Sequence, residues 1–161
     1  MAAKNVCLVG AGNIANTHAA VLATLPSVAV STVVDPNLAL AEAMAKSLGG
    51  AKAFASLDDA LAAGGFDRAH ILVPPPLRDP IATKLLNAGV SVLCEKPLAE
   101  TSAECGALIQ LAASKGVTLG VNQNCPSSKH LGHLSLFVNG GFGSSGFDVK
   151  PLGVDGSSGG F

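Results

Sequence analysis

Residues 6–15 read Val-Cys-Leu-Val-Gly-Ala-Gly-Asn-Ile-Ala, an unbroken apolar run that leads directly into a glycine-rich turn. The run 6–9 is typical of a central parallel strand, which is buried on both faces. Gly10-Ala-Gly-Asn-Ile-Ala15 fits the G-x-G-x-x-[GA] fingerprint: the first glycine allows a tight turn, the second lets a pyrophosphate approach, and the last small residue lets the helix pack closely. The stretch therefore predicts a strand–turn–helix unit that either binds a dinucleotide or is a tight turn without a ligand.

The start of the predicted helix supplies the expected cofactor contacts. A helix N-terminus offers free N–H groups and a partial positive charge to phosphates. The residues predicted to bind the cofactor in this unit are Gly10, Gly12, Asn13, Ile14 and Ala15.

A carboxylate follows the second predicted strand. Residues 28–34 form an apolar run that ends in Asp35-Pro36, roughly 20 residues beyond the glycine turn, where an acidic residue can accept both ribose hydroxyls. Such a charge repels a 2′-phosphate, and no arginine follows to reverse the effect, so NAD is predicted over NADP. Two alternatives remain: Asp35 caps the next helix, or nearby lysines reach the phosphate.

Apolar runs and helical patterns alternate six times along the chain. Predicted strands cover 6–9, 28–34, 52–54, 69–73, 91–94 and 118–121, and predicted helices cover 14–25, 38–48, a short stretch after Ser56, 80–88 and 101–115. This alternation predicts an α/β fold, a doubly wound parallel-sheet Rossmann domain over residues 1–124. Residues 125–161 are rich in glycine and serine, with a strand pattern over 131–139, and are expected to be a mostly irregular, disordered remnant of a truncated protein.

The composition excludes several classes of protein. Of 161 residues, 48% are hydrophobic and 13% charged, with a net charge of −1. There is no basic run to suggest nucleic acid, no signal peptide, and no apolar run approaching the roughly 20 residues of a membrane span. A soluble, cytoplasmic protein is expected. The absence of tyrosine excludes the Tyr-x-x-x-Lys chemistry of short-chain dehydrogenases.

The four cysteines do not form a metal or disulfide pattern. Cys7, Cys94, Cys105 and Cys125 are widely spaced, without a Cys-x-x-Cys pair. They are predicted to be reduced core thiols, and no metal site is expected.

A second motif, Cys94-Glu-Lys-Pro-Leu98, follows the fifth predicted strand. In open α/β sheets this carboxyl edge is where ligands bind. A lysine at a buried strand tip needs a partner, which favours a functional role. The alternative is a solvated loop with an extended lysine.

Together these motifs resemble the Gfo/Idh/MocA family of sugar and polyol oxidoreductases. The resemblance rests on the order and spacing of residues 10–15, 71–76 (Ile-Leu-Val-Pro-Pro-Pro), 88–98 and 121–124 (Val-Asn-Gln-Asn). It implies an NAD(P)-dependent hydride transfer to or from a hydroxyl-bearing carbon of a sugar or polyol. It also implies a C-terminal domain that covers the nicotinamide and builds a homo-oligomer. The homo-oligomer is not expected of this chain alone.

The resemblance assigns roles to individual residues. It places Lys96 beside the nicotinamide as the catalytic group that exchanges a proton with the substrate. Glu95 would orient the cofactor ribose, and Pro97 would follow a cis peptide. The remaining implied contacts are Pro74 and Pro75 along the cofactor and Asn122 and Asn124 near the substrate.

Two departures from the family pattern matter. Arg78 stands where the family often has a histidine, and the second catalytic group of the family lies in a C-terminal domain that this sequence does not supply. His130 and His133 lie in the glycine-rich stretch and are not predicted to be catalytic. His18 is interpreted as a packed or exposed helix residue. Two other hypotheses therefore stand: a non-catalytic dinucleotide-binding fragment or sensor, and a fragment that does not fold stably alone.

Overall fold

The computed structural model describes residues 4–123, 134–138 and 149–150. Strands and helices alternate up to residue 123, and a 3₁₀ turn at Pro75–Leu77 precedes the fourth helix. The elements are β1 (Lys4–Val9), α1 (Asn13–Ala23), β2 (Val28–Val34), α2 (Leu38–Ser47), β3 (Lys52–Phe54), α3 (Leu57–Ala63), β4 (Arg68–Ile71), α4 (Arg78–Asn87), β5 (Ser91–Glu95), α5 (Ser102–Lys115), β6 (Leu119–Gln123), β7 (Leu134–Val138) and β8 (Val149–Lys150).

The described strands form one sheet in the order β3-β2-β1-β4-β5-β6-β7-β8. The first six pair in parallel, which confirms the predicted doubly wound sheet. Because the strand order reverses between β1 and β4, a crevice opens at the carboxyl ends of these strands. β7 lies within the predicted strand 131–139 and pairs antiparallel with β6; β8, which the sequence did not predict, pairs with β7. The rest of the predicted irregular tail lies outside the described residues.

Two apolar layers hold the helices on opposite faces of the sheet. Val6 and Leu8 of β1 pack with buried residues of α1 and α2. Cys7 and Val9, which alternate with them, pack with buried residues of α3, α4 and α5. Since successive strand residues point to opposite faces, burial on both sides explains why the run is apolar without a break.

The buried thiols behave as the sequence predicted. Cys7 and Cys94 are fully buried in β1 and β5. Burial raises the pKa of each thiol from 9.0 to about 12, so both stay protonated and inert. Cys125 lies outside the described residues.

Side-chain caps are present at the starts of α3 and α5. Ser56 accepts a hydrogen bond from the amide of Asp59, and Thr101 forms a capping box with Glu104. Helices α1, α2 and α4 begin without a side-chain cap. The prediction that α4 begins at Pro80 was wrong, because the 3₁₀ turn at 75–77 continues directly into the helix at Arg78. Among the described residues, no helix has both the length and the hydropathy to cross a membrane.

Candidate functional site

The glycine turn after β1 lies at the point where the strand order reverses. Gly10 has φ +104°, and a Cβ added there would lie 2.8 Å from the carbonyl oxygen of Leu72. A side chain at this position would therefore collide with the backbone after β4. A Cβ at Gly12 would meet nothing within 4 Å, so open space lies where a pyrophosphate would approach.

Helix α1 begins without a side-chain cap. Gly12 is its N-cap residue, and the first turn carries no acidic side chain. Asn13 and Ile14 are exposed, whereas Ala15 is fully buried against the sheet. The close packing predicted for Ala15 is therefore present, and the positive end of the helix lies beside the crevice with no acidic side chain in its own first turn.

Asp35, at the end of β2, is bound to the glycine turn. Its Oδ2 accepts a hydrogen bond from the amide of Ala11 at 2.8 Å, and its Oδ1 accepts one from the amide of Asn37 at 2.8 Å. The second contact precedes α2, but the N-cap residue of that helix is Asn37 and no side-chain cap is present, so Asp35 does not cap the helix as the alternative supposed. The contact with Ala11 holds the same carboxylate beside the glycine turn. A carboxylate offers about four lone pairs, so both contacts leave acceptor capacity for a ligand.

Arg78 is buried beneath the two loops that follow β4 and β5. Its Nε donates to the carbonyl of Val73 at 2.9 Å. Its Nη1 donates to the carbonyls of Glu95 at 2.9 Å and Pro97 at 2.7 Å. These carbonyls lie on both sides of Lys96, so the guanidinium joins the proline-rich turn to the Glu95–Pro97 turn. The sequence marked Arg78 only as a departure from a family pattern and missed this role.

Glu95 lies at the buried end of β5 and accepts several hydrogen bonds. Its Oε1 lies 3.1 Å from Nε2 of His18 and also accepts from the amide nitrogen of Asn122. Its Oε2 accepts from the backbone N–H of Lys96 at 3.3 Å. Burial acts to raise the pKa of Glu95, but the hydrogen bonds from Asn122 and His18 outweigh it, and the pKa lies below its usual value. The carboxylate is therefore ionised at neutral pH.

The second nitrogen of His18 contacts another histidine. His18 Nδ1 lies 3.0 Å from Nδ1 of His70, which is in β4. Burial, reinforced by His18, lowers the pKa of His70 from 6.5 to about 4. From the sequence alone, His18 is interpreted only as a packed or exposed helix residue, and no role is predicted for His70. One signal was present: His70 interrupts an apolar strand between buried Ala69 and Ile71.

The Lys96 side chain is exposed, and the Lys96–Pro97 peptide is cis, as the resemblance implied. Pro74 is exposed and Pro75 half-buried in the turn after β4, while Asn122 is buried against Glu95. Asn124, His130 and His133 lie outside the described residues. Within the described residues, no group of three or more His, Cys, Asp or Glu side chains is placed to hold a metal ion. The ligand-binding roles of all these residues remain predictions.

The fold and this cluster of loops agree with a known family. The model of the Gfo/Idh/MocA family, described as an oxidoreductase family with an NAD-binding Rossmann fold, matches residues 4–123. The chain belongs to the Gfo/Idh/MocA family. Among the relatives of this family, inositol 2-dehydrogenase of Corynebacterium glutamicum (strain R) is 36% identical over 107 residues, which is 66% of this chain and 32% of the relative.

Solved Gfo/Idh/MocA-like structures show the same architecture. GenD2 from gentamicin A biosynthesis, solved in complex with NAD, is 31% identical with a TM-score of 0.72, over 75% of this chain and 34% of that one. KijD10, a 3-ketoreductase from Actinomadura kijaniata solved with NADP and TDP-benzene, has a TM-score of 0.71 over 74% of this chain and 37% of that one. Because the two sequences are 23% identical, this likeness shows the fold alone. The chain thus spans about a third of the length of the curated relatives it matches.

Proposed function

We propose that this chain binds NAD in preference to NADP, and that the whole protein transfers a hydride between NAD and a hydroxyl-bearing carbon of a polyol or sugar. The observation that carries the cofactor assignment is the hydrogen bond from Ala11 to Asp35. It sets an acidic side chain beside a glycine turn whose second glycine faces open space.

The described residues fit a dinucleotide at both of its ends. The uncapped start of α1 offers N–H groups to a pyrophosphate, with Gly12, Asn13 and Ile14 exposed around it. Across the crevice, the proline-rich turn with Pro74 and Pro75, and the turn Glu95–Pro97, would bind the nicotinamide end. Arg78 holds these two turns together.

Charge is the basis for the NAD preference. Asp35 carries a carboxylate where a ribose would lie, so a 2′-phosphate would meet a like charge. Pro36 and Asn37, which follow it, supply no positive charge to attract that phosphate.

Lys96 is the group proposed to transfer the proton. When bound, the nicotinamide accepts or supplies the hydride. When the alcohol is oxidised, a neutral Lys96 amine would accept the proton of the substrate hydroxyl, and in the reverse direction the ammonium would return it. Asn122 and Asn124 would lie towards the substrate. Inositol is the substrate named for the corynebacterial relative, and a cyclic polyol presents the secondary hydroxyls that this chemistry requires.

The test is a titration of the purified chain with NADH and with NADPH, followed by nicotinamide fluorescence and by the shift in melting temperature. Saturable binding of NADH, at least about tenfold tighter than NADPH, is expected. A cooperative melt without binding of either nucleotide would contradict the proposal.

A second candidate is a dinucleotide-binding protein without turnover. The observation that favours it is that the contacts described above, the Ala11–Asp35 hydrogen bond and the open space at Gly12, serve cofactor binding equally well without turnover. Incubation with NAD and a panel of polyols and sugars separates the two, because NADH formation requires turnover whereas binding alone produces none.

A further inference from the structure

His18 and His70 lie beneath the proposed nicotinamide end of the site, and neither belongs to the cofactor or catalytic residues named above. Their Nδ1 atoms are 3.0 Å apart, with ring centroids 5.2 Å apart and rings nearly perpendicular. Two imidazole nitrogens at this distance need one proton between them, because two lone pairs repel each other and two N–H groups collide.

Glu95 determines which histidine supplies that proton. An ionised carboxylate is an acceptor only, so Nε2 of His18, 3.1 Å from Oε1, must carry a proton. A neutral imidazole has a single N–H, so Nδ1 of a neutral His18 is a lone pair and His70 must donate from its own Nδ1. The half-buried His70, whose pKa is lowered to about 4 by desolvation, is neutral at neutral pH, which agrees with this assignment.

Asn122 completes the same unit. Its amide nitrogen donates to Oε1 of Glu95 and lies 3.5 Å from Nε2 of His18. Both nitrogens are donors in this arrangement, so the 3.5 Å approach is a contact between neighbours and not a hydrogen bond. Two donors therefore converge on Oε1, while Oε2 accepts from the Lys96 amide.

We propose that His18 is a positioning residue for Glu95, with its tautomer fixed by His70, and that it joins helix α1 to the Glu95–Pro97 turn as one cofactor-binding unit. Helix α1 carries the glycine turn at its start, and Glu95 leads directly into Lys96. A single hydrogen bond thus connects the pyrophosphate end of the proposed site to its nicotinamide end. Preorganisation of this kind lowers the ordering cost of binding. The proposal rests on the proposed function, since it concerns the same cofactor.

Two substitutions of His18 test this role in the 161-residue chain. Gln carries its Nε2 two bonds beyond Cγ, as His does, so His18→Gln keeps a donor for Glu95, whereas His18→Leu removes it. His18→Leu should weaken NADH binding about tenfold, and His18→Gln should stay within about threefold of the unsubstituted chain. Val21→Ala, at an exposed position of the same helix, is the matched control and should change nothing. A folded His18→Leu that binds NADH normally, or a His18→Gln as weak as His18→Leu, would overturn the proposal.

Nuclear magnetic resonance of the imidazole nitrogens tests the hydrogen bonds without a cofactor. At about pH 8, above the ordinary histidine pKa, His18 should carry its proton on Nε2 and His70 on Nδ1. A proton on Nδ1 of His18, or tautomers in rapid exchange, would overturn the positioning role even if His18→Leu fails to fold. Failure of the unsubstituted chain to bind NADH would instead overturn the proposed function. The tautomers measured by nuclear magnetic resonance would still test the hydrogen bonds of His18 independently.

Discussion

The carboxylate of Asp35 accepts a hydrogen bond from the backbone amide of Ala11 at 2.8 Å, and this contact binds the end of β2 to the glycine turn after β1. Asp35 is thus both a candidate ribose ligand and a support for the turn. Any substitution at this position changes two things at once, the charge offered to a ligand and the order of the turn.

Asp35→Asn removes the charge but keeps one acceptor oxygen, so it can preserve one of the two backbone hydrogen bonds that Oδ1 and Oδ2 accept. We expect the ratio of NADPH to NADH dissociation constants to fall about tenfold, with a small decrease in melting temperature from the lost hydrogen bond. Asp35→Ala should weaken both nucleotides, since it also releases Ala11. Fluorescence titrations with the two cofactors measure the ratio.

Asp67→Asn is the matched control for Asp35. Asp67 also accepts a hydrogen bond from a backbone amide, that of Asn5, but it lies before β4 at the amino edge of the sheet. Its substitution should leave the cofactor ratio unchanged. An unchanged ratio in Asp35→Asn as well would show that Asp35 does not select the cofactor.

Lys96→Ala should affect turnover without affecting binding. The side chain is exposed, so its removal leaves no buried group without a partner, and NADH should bind within about threefold of the unsubstituted chain. Any polyol-dependent formation of NADH should disappear, because the proton acceptor is lost. Lys46→Ala, at an exposed position of α2, is the control. A large loss of NADH binding in Lys96→Ala alone would show that Lys96 binds the cofactor and would contradict a purely catalytic role.

Arg78→Met should destabilise the fold strongly. The substitution leaves the carbonyls of Val73, Glu95 and Pro97 without their charged donor, at a cost of about 3 kcal/mol in the free energy of unfolding. Arg78→Lys keeps the charge, but one ammonium cannot replace the planar fork, so the loss should be smaller yet still measurable. Urea unfolding curves give both values.

Arg68→Met provides the comparison for Arg78. The Arg68 side chain is 41% exposed and pairs only loosely with Asp67, at 3.9 Å. Its substitution should change the free energy of unfolding by less than about 0.5 kcal/mol. Equal effects at the two arginines would mean that the buried hydrogen bonds of Arg78 contribute little.

His70 should make the chain less stable as the pH falls. Its pKa is lowered by burial to about 4 in the folded chain, whereas the unfolded chain takes up the proton near 6.5. Between these values the unfolded state binds more protons, so the free energy of unfolding decreases with decreasing pH. Of this decrease, about 2 kcal/mol should occur between about pH 7 and about pH 5.

His70→Asn measures this contribution. The Asn amide nitrogen is one bond from Cγ, as Nδ1 of His is, so a donor to His18 remains but the titration is removed. The variant should lose about 2 kcal/mol less stability than the unsubstituted chain between about pH 7 and about pH 5, by urea unfolding. Below about pH 4.5 both proteins should lose stability further, because the unfolded chain takes up a proton on Glu95 more readily than the folded chain, in which the pKa of Glu95 is lowered. If both proteins lose the same stability between about pH 7 and about pH 5, the pKa of His70 is not lowered in the folded chain.

The sequence by itself determined the parallel sheet and the position of the candidate site. The apolar run 6–9 predicts a strand buried on both faces, and the G-x-G-x-x-A pattern of residues 10–15 predicts the tight turn and helix start that follow it. These are local properties, carried by the order of residue types along a short stretch, so they can be recognised without knowing any distant contact.

Only the tertiary structure decided which polar side chains meet beneath the site. His18 contacts His70 and Glu95 across 52 and 77 residues of sequence, and Arg78 reaches carbonyls at the ends of two different strands. Hydrogen bonds of this kind depend on crossover connections that bring separate loops to one edge of the sheet, and on burial, which removes water as the competing partner. No spacing along the chain encodes either condition.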